Sequence, residues 1–422
     1  MVAVRGIGGK LYTTEQCERS KKDLSTPFYI VTIRHDDGER LPIILNAERD
    51  PISWANDYLI KARRSSVAAK TLRKELSVLG YLHEFCKNSG IDLMQRARSG
   101  NGFSTDEIAT QLFRWMRRNF SAHAGGNVVE LVVARATVDY RMGKVWEFLR
   151  WHMDDAMTRL AVGDNRINHI QAKMKAMETA FHSLRTNIAK HKVEKLGLAP
   201  HRVGRLLEIC YPGNPENPWK GCYQERNYLI LVLLLTFGFR RGELLKIKLR
   251  DLRLGGLIPE IRIERRPDDI EDLRAEPPEV KTEARILPCD KFLAQRLQNY
   301  ILGERKQIPG ANGSPFLVLA RSGQPISEKR INDIFYQLRR KHPDFTDLHP
   351  HLCRHTCNTK LLEMGREKGI EESRLEAHLK YFNGWRTDNS ETYTQAAIRK
   401  EVQDLSLAHQ EAIFLQFQDV PF

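Results

Sequence analysis

The sequence has little of what a membrane-spanning or secreted protein needs. Its longest apolar run, from Leu229 to Leu235, is far too short to span a bilayer. The first residues, MVAVRGIGGKLYTTEQ, lack the apolar core and the small-residue cleavage site of a signal peptide. The 7 cysteines include no CxxC pair and no regular framework, so we interpret them as reduced thiols. We therefore expect a cytoplasmic protein with no membrane partner.

Basic residues outnumber acidic ones. The 422-residue chain has 67 Lys and Arg against 53 Asp and Glu, which gives a net charge of +14 and a pI near 9.4. An excess of this size favours a polyanionic partner, of which nucleic acid is the commonest. A basic protein without such a partner is the alternative that the charge alone leaves open.

The residue pattern divides the chain into four parts. Residues 1–48 are mixed and strand-like, and they predict an arm or a small strand-rich segment. Residues 49–163 carry apolar side chains at helical spacing and predict a mainly α-helical domain. Residues 164–200 are polar and Lys-rich and predict a helical linker. Residues 201–422 combine helices with a short strand-rich region, which predicts an α+β domain with a small antiparallel sheet.

The helical domain also has basic residues on the helix faces opposite its apolar stripes. A phosphate backbone is a natural partner for such residues, although a charged helix face is usually only solvated. The DNA-binding candidates are Lys70, Arg73, Lys74, Arg141, Lys144 and Arg150.

The stretch LHPHLCRHTCNT, Leu348–Thr359, places a potential metal ligand at every second position. Imidazole and thiolate groups bind borderline metals together, so a zinc protein is one hypothesis. On a helix, however, alternate positions spread around the axis and do not converge on one ion. If Pro350 begins a helix, His351 and Arg354 are i, i+3 neighbours on one face. We therefore expect no metal here.

The segment TFGFRRGELL, Thr236–Leu245, predicts a tight corner between two helices. Gly238 tolerates the left-handed conformation that is common at helix ends. Arg240 then lies at a helix N-terminus, a position suited to anions. Glu243, three residues later, is placed to hold the guanidinium or neighbouring amides. An ordinary helix corner with a surface arginine is the alternative for this segment alone.

Two further segments carry candidate chemistry. KTEARILP, Lys281–Pro288, predicts two strand-like pieces around a tight turn, with Lys281 at the hairpin edge. There a flexible ammonium group can give a proton to a leaving oxygen. The segment FNGW, Phe382–Trp385, predicts a corner, and Tyr393 follows it. Each signal is weak by itself.

Taken in their order along the chain, the four segments resemble the tyrosine recombinase (phage integrase) family. The resemblance covers the chain after residue 200, and the helical domain looks like the SAM-like core-binding domain of that family. It implies a fold in which two domains clamp around duplex DNA. It also assigns roles to positions of this sequence: the catalytic set is Arg240, Lys281, His351, Arg354, Trp385 and Tyr393, with Glu243 and His355 as supporting residues.

The implied reaction needs no metal, cofactor or ATP. Tyr393 attacks the phosphorus and forms a 3′-phosphotyrosyl intermediate, so that the bond energy is conserved for rejoining. His351 accepts the phenol proton and Lys281 protonates the departing 5′ oxygen. Paired arginines meet the charge on the non-bridging oxygens. Trp385 stands where most members have His, and it donates an N–H but cannot shuttle protons.

The resemblance also implies partners and a setting. These are double-stranded DNA with a specific recombination site, a homo-tetramer in the synaptic complex, accessory proteins or companion recombinases, and integration or excision of a mobile element near a prokaryotic nucleoid. A type IB topoisomerase-like nicking and closing enzyme is one alternative. A catalytically inactive DNA-binding regulator on the same fold is another.

Two features depart from the family's pattern. An acidic insertion, Arg265–Glu276, precedes Lys281 and is expected to shift the hairpin. The spacing between Arg354 and Trp385 is longer than usual, which makes Tyr381 a competing nucleophile. The apolar helix after Tyr393 is expected either to dock onto a neighbouring protomer, as an oligomerisation helix, or to pack on its own domain.

Overall fold

The computed structural model describes residues 28–120, 132–185, 197–385 and 395–415, together with two short paired strands near the N-terminus. Tyr393 lies outside the described residues. The chain separates into two compact units, residues 1–191 and residues 192–422. Each unit has its own hydrophobic core.

The strands form three small antiparallel sheets, β1–β2, β3–β4 and β5–β6–β7. Their bounds are β1 Val4–Arg5, β2 Leu11–Tyr12, β3 Phe28–Arg34, β4 Arg40–Asn46, β5 Leu252–Arg253, β6 Glu260–Ile263 and β7 Arg285–Pro288.

Helices make up most of the described residues. The α-helices are α1 Ser53–Tyr58, α2 Ala69–Asn88, α3 Leu93–Arg98, α4 Phe113–Met116, α5 Arg135–Thr158, α6 Asn165–Ser183, α7 Pro200–Cys210, α8 Gly221–Phe237, α9 Arg241–Lys246, α10 Lys291–Leu302, α11 Glu328–Lys341, α12 Pro350–Glu367, α13 Glu372–Asn383 and α14 Gln395–Leu415. Two π-helical turns, Leu59–Arg63 and Glu107–Leu112, lie in the first unit. Within the described ranges, no helix combines the length and the apolarity needed to cross a membrane.

The hairpin β3–β4 belongs to the core of the first unit. Ile44 is fully buried, and its backbone N–H and C=O both pair with the side chain of Asn56, each at 2.9 Å. Phe28 lies directly over Gly80 of α2, where an added Cβ would come within 2.6 Å of the Phe28 ring. The segment predicted as an arm or a small strand-rich segment is therefore, from residue 28 onward, a hairpin packed on the helices that follow it.

Helix α6 also belongs to the first unit. The sequence predicted residues 164–200 as a linker because the segment is polar and rich in lysine. Ile170, Met177 and Phe181 nevertheless share one face of the helix and are buried in the unit's core. A narrow apolar stripe is enough to dock a helix whose other faces remain solvated.

The second unit is built around α8. Every residue from Leu229 to Leu235 is buried, so the longest apolar run of the sequence forms the centre of the core. Helices α7, α9, α10, α12 and α14 surround it. The sheet β5–β6–β7 lies beside this core, with Ile261 and Leu287 paired across β6 and β7 and both fully buried. The predicted fold class, a helical domain followed by an α+β domain with a small antiparallel sheet, is confirmed.

Helix α14 packs on its own unit. Val402, Leu405 and Ile413 are part of the core. Gln410 is fully buried; its Nε2 donates to the Pro288 carbonyl at 3.0 Å, and its Oε1 accepts from the Asp290 N–H at 2.8 Å. Of the two arrangements predicted for this helix, the structure shows packing within the chain.

The packing of α14 predicts a stability effect. Leu405→Ala removes a buried side chain, so we expect the free energy of unfolding to fall by about 2–5 kcal/mol. Leu302→Ala is the matched control, because Leu302 is 63% exposed. Urea unfolding at several protein concentrations is the measurement. A Leu405→Ala effect no larger than that of the control, or one that appears only at high concentration, would contradict packing within the chain.

Candidate active site

The site begins at the corner between α8 and α9. Gly238 ends α8 with φ = 56°, in the left-handed region that favours glycine. Arg240 is the N-cap of α9, and its backbone N–H donates to Oε2 of Glu243 at 2.8 Å. The predicted corner, with an arginine at a helix N-terminus and a glutamate that pairs with its amide, is confirmed.

Glu243 is the centre of the site, and its side chain is fully buried. Nη1 of Arg285 donates to it at 3.1 Å, and the Thr282 hydroxyl donates to the same Oε1 atom. Nη1 of Arg240 and Nη1 of Arg354 each lie 3.9 Å from one of its oxygens. Burial by itself raises the pKa of Glu243, but the Arg285 charge and these hydrogen bonds bring the pKa below its usual value.

Arg354 is held rigidly beside this carboxylate. It is buried, and its Nη1 donates to the Gly238 carbonyl at 2.6 Å while Nη2 donates to the Asn383 carbonyl at 3.5 Å. Burial, and then the neighbouring charge of Arg240, lower the pKa of Arg354 to about 10. The guanidinium is therefore still charged at neutral pH, but it lies in surroundings that penalise its charge.

Three guanidinium groups thus surround one carboxylate. Nη1 of Arg240 and Nη2 of Arg285 are buried and have no hydrogen-bond acceptor among the described residues. Burial lowers the pKa of Arg240, as it does for Arg354. The excess of positive charge and the unused donors make this site chemically suited to an anion.

Helix α12 supplies the histidine candidates. It begins at Pro350, as predicted. His351 is exposed, and its ring lies edge-to-face with the half-buried His355 ring, with 4.5 Å between the ring centroids. His351 is thus at the surface end of the same helix that holds the buried Arg354.

The alternating ligands of Leu348–Thr359 separate onto different faces of α12. Cys353 and Cys357 are fully buried, and burial raises the pKa of the Cys353 thiol to about 12. Sγ of Cys357 lies 3.3 Å from the Thr236 carbonyl, inside the core. Within the described residues, no group of three or more His, Cys, Asp and Glu side chains is placed to hold a metal ion.

Lys281 is exposed and lies in the segment that leads into β7. The connection from β6 to β7 runs from residue 264 to residue 284, so Lys281 does not lie at the edge of a tight hairpin turn, and that part of the prediction is wrong. The acidic insertion lengthens the connection. It is anchored by buried ion pairs: Lys246 lies 2.9 Å from Asp272, and Lys248 lies 2.6 Å from Asp269.

The Gly-Trp corner closes the site on another side. Gly384 has φ = 60° and ends α13. Trp385 is 40% exposed, and its ring centroid lies 6.0 Å from the Arg354 guanidinium carbon, at the outer limit of a cation–π contact. The competing nucleophile Tyr381 is half-buried; its hydroxyl donates to the Ile286 carbonyl at 3.4 Å, and burial raises its pKa.

The structure distributes the DNA-binding candidates over different environments. Lys70, Lys74 and Arg150 are exposed. Arg73 is half-buried and donates to the Ile30 carbonyl at 3.1 Å. Lys144 is half-buried and pairs with the buried Glu75 at 3.1 Å and with Glu147 at 2.7 Å.

The structure does not support Arg141 as a DNA-binding residue. It is buried, and its Nη1 donates to the carbonyls of Met116 and Arg118 at 2.7 and 2.8 Å. Its guanidinium also lies 4.8 Å from the Tyr81 ring centroid. Arg141 is thus a structural residue of the first unit and does not present its charge to a ligand.

Sequence reasoning missed two side chains that complete the site, Thr282 and Arg285. Both are buried, and both bond to Glu243. Nε of Arg285 also donates to the Phe382 carbonyl at 2.7 Å, which ties β7 to the end of α13. The pattern Lys-Thr-x-x-Arg-x-x-Pro was the sequence feature that could have indicated these two residues. A local pattern does not show, however, that such polar side chains point into the core.

Residues 197–372 match the model of the phage integrase family. The match covers less than half of the chain, and over these residues it confirms the predicted resemblance to the tyrosine recombinase (phage integrase) family. The matched range includes Arg240, Glu243, Lys281 and Arg354, whereas Trp385 and Tyr393 follow it.

Curated relatives include two proteins named tyrosine recombinase XerC. The protein from Staphylococcus epidermidis is 25% identical over 150 residues, which are 36% of this chain and 45% of that protein. The protein from Staphylococcus haemolyticus is 28% identical over 150 residues, with 36% and 44% covered. The chain thus matches less than half the length of these relatives.

Two solved structures are also similar. The Tn1549 transposon integrase in complex with circular intermediate DNA has a TM-score of 0.36 and 18% identity, with 72% of this chain and 100% of that chain covered. The XerH site-specific recombinase bound to difH has a TM-score of 0.35 and 15% identity, with 68% and 80% covered.

The buried carboxylate of Glu243 predicts a pH-dependent stability difference. Its pKa lies below 4.5 in the folded protein, so its contribution is fully present above about pH 4.5 and is lost as the pH falls through the folded value. Glu243→Gln leaves buried guanidinium groups unpaired, and we expect a loss of about 3–5 kcal/mol at pH 7.

Chemical unfolding from pH 7 to pH 3 measures this difference. The gap between the wild-type protein and Glu243→Gln should narrow below pH 4.5. Glu411→Gln, at an exposed position of the same unit, is the control and should change little. A gap that stays constant with pH would show that Glu243 does not act through its charge.

Proposed function

We propose that this protein is a site-specific DNA recombinase that cleaves and rejoins DNA strands through a 3′-phosphotyrosyl intermediate. The observation that carries the proposal is the cluster of Arg240, Arg285 and Arg354 around the buried carboxylate of Glu243, with its excess positive charge and unused donors. The match of residues 197–372 to the phage integrase family model supports the same reaction.

The arginines bind and activate the phosphodiester. Arg240 and Arg354 donate to the non-bridging oxygens, whose negative charge grows in the transition state. Because the carbonyls of Gly238 and Asn383 already fix Arg354, its donors need little reorganisation when the phosphate arrives. Removing one preorganised donor of this kind typically costs on the order of 3 kcal/mol of transition-state stabilisation.

The remaining side chains move protons and form the covalent bond. Tyr393 Oη attacks phosphorus, the new O–P bond forms, and the bond from phosphorus to the 5′ oxygen breaks. His351 takes the phenol proton, and Lys281 gives a proton to the departing 5′ oxygen. The exposure of both residues leaves them accessible to a DNA strand. The Trp385 N–H donates to the phosphate and its ring covers the Arg354 side of the site.

The partner in this proposal is duplex DNA with a specific recombination site. The net charge of +14 favours attraction to a polyanion, and Lys70, Lys74 and Arg150 are exposed cations on the first unit. Two recombination sites and four active sites imply a tetramer in the synaptic complex. Integration or excision of a mobile element is the process that such a reaction would serve.

The nucleophile assignment has a direct test. Tyr393→Phe removes the attacking oxygen, so covalent capture of a nicked suicide DNA substrate should be abolished while duplex binding survives. The substrate is DNA that flanks the gene in its genome. Tyr381→Phe is the matched control and should keep full capture, because the Tyr381 hydroxyl contacts a backbone carbonyl. Covalent capture of DNA by Tyr393→Phe would show that Tyr393 is not the nucleophile.

The exposed cations of the first unit lead to a prediction about the salt dependence of DNA binding. If Arg150 contacts a phosphate, Arg150→Gln should weaken DNA binding about equally for all sequences and reduce the slope of log K against log salt by about 1. Arg141→Met should instead lower the stability of the unit, because two backbone carbonyls lose their buried donor. Binding titrations at several salt concentrations provide the measurement. An unchanged slope for Arg150→Gln would remove this residue from the interface.

A further inference from the structure

The segment that carries Lys281 is held in place on both sides, although the Lys281 side chain is exposed. We infer that Thr282 is a positioning residue for Lys281. By fixing the backbone of this segment, Thr282 determines where Lys281, the proton donor of the reaction, meets the leaving oxygen. The inference rests on the proposed function and deepens it, because it concerns how the same site aligns its proton donor.

Thr282 connects the Lys281 segment to the arginine cluster. Its side chain is buried, with a residue exposure of 3%, and its hydroxyl donates to Oε1 of Glu243. Nη1 of Arg285 donates to the same oxygen. The proton donor and the phosphate-binding arginines therefore share one anchor, although they come from distant parts of the sequence.

The backbone next to Thr282 is fastened to the Gly-Trp corner. The Glu283 N–H donates to the Gly384 carbonyl at 3.0 Å. The approach is close, because an added Cβ at Gly384 would lie 2.8 Å from the Glu283 carbonyl oxygen. The residues after Lys281 thus have a fixed position relative to the corner that carries Trp385.

The backbone before Lys281 is confined as well. The Glu279 carbonyl approaches Gly242 of α9 so closely that an added Cβ there would lie 2.2 Å from its oxygen. Val280 is buried in the core, between the contact of Glu279 with Gly242 and the contact of Glu283 with Gly384. The Lys281 side chain is exposed between these fixed points, and the Thr282 hydrogen bond holds the backbone from which that side chain extends.

Thr282 is a better position to test than Arg285. Arg285 also donates to the Phe382 carbonyl and carries a buried charge, so its loss disturbs several elements at once. Thr282→Val keeps the shape of the side chain and removes only the hydroxyl. Thr282→Ser restores the hydroxyl and is the conservative rescue.

A change of leaving atom separates positioning of the proton donor from general damage to the site. With the natural substrate, the 5′ oxygen takes a proton from Lys281 as its bond to phosphorus breaks. With a 5′-bridging phosphorothiolate, the leaving group is a thiolate, whose conjugate acid has a pKa of about 8.5, close to that of a cysteine thiol. A thiolate can leave without a proton, so cleavage of this substrate does not need the donor.

The experiment measures single-turnover cleavage of matched oxygen and sulfur suicide substrates by the full-length protein. On the oxygen substrate, we expect Lys281→Met to lose at least about 100-fold, as for a missing general acid. Thr282→Val should lose roughly 10-fold, a factor equivalent to about 1.4 kcal/mol, and Thr282→Ser should stay near the wild-type rate. On the sulfur substrate, Lys281→Met and Thr282→Val should both approach the wild-type rate, with unchanged DNA binding.

The possible failures are distinguishable. Equal slowing of Thr282→Val on both substrates, or no slowing on either, would overturn the positioning role. If Lys281→Met still cleaved the sulfur substrate slowly, Lys281 would not be the proton donor. The inference would then fail, although covalent capture by Tyr393 would remain. If the wild-type protein captured neither substrate, the proposed function itself would fail. Should Thr282→Val fold poorly, Thr282→Ala must show the same dependence on the leaving atom.

Discussion

The second unit depends on the pairing of the buried Glu243 carboxylate with the groups around it. A charge of this kind is costly to bury unless it is paired and hydrogen-bonded. Here Arg285, Thr282 and the backbone N–H of Arg240 pair with it, and Arg240 and Arg354 lie within 4 Å. One negative charge among three positive ones holds the arginines together and still leaves the site attractive to an anion.

The fold brings four distant segments to this carboxylate. They are the corner between α8 and α9, the residues before β7, the first turns of α12 and the end of α13. The backbone carbonyls of Gly238, Phe382 and Asn383 accept from the same arginines. The site is therefore part of the hydrogen bonding that stabilises the unit, and a substitution among these residues is expected to affect stability and activity together.

Local patterns predicted the parts of this structure that local chemistry determines. The glycine at the end of α8, the proline at the start of α12 and the spread of the alternating ligands over different faces of α12 all follow from short segments. The order of these segments also carried the resemblance to the phage integrase family, and residues 197–372 match the model of that family.

Long-range burial was not predictable in the same way. Arg141 and Arg285 look like surface cations in the sequence, and only the tertiary structure shows that backbone carbonyls or a buried carboxylate surround them. Helix α6 was predicted as part of a helical linker, and its packing in the core of the first unit was not foreseen because its apolar stripe is narrow. The acidic insertion was expected to shift the hairpin; it lengthens the connection before Lys281, and its buried pairs with Lys246 and Lys248, which fasten it, could not be predicted from the sequence.

The most direct test of the central claim is to identify the residue that becomes linked to DNA. The protein is trapped on a nicked suicide substrate, digested, and analysed by mass spectrometry for the peptide that carries a 3′-phosphonucleotide. We expect a single adduct on Tyr393 without added metal, and its loss in Arg354→Ala. An adduct on Tyr381 or another residue, or an undiminished adduct in Arg354→Ala, would contradict that claim.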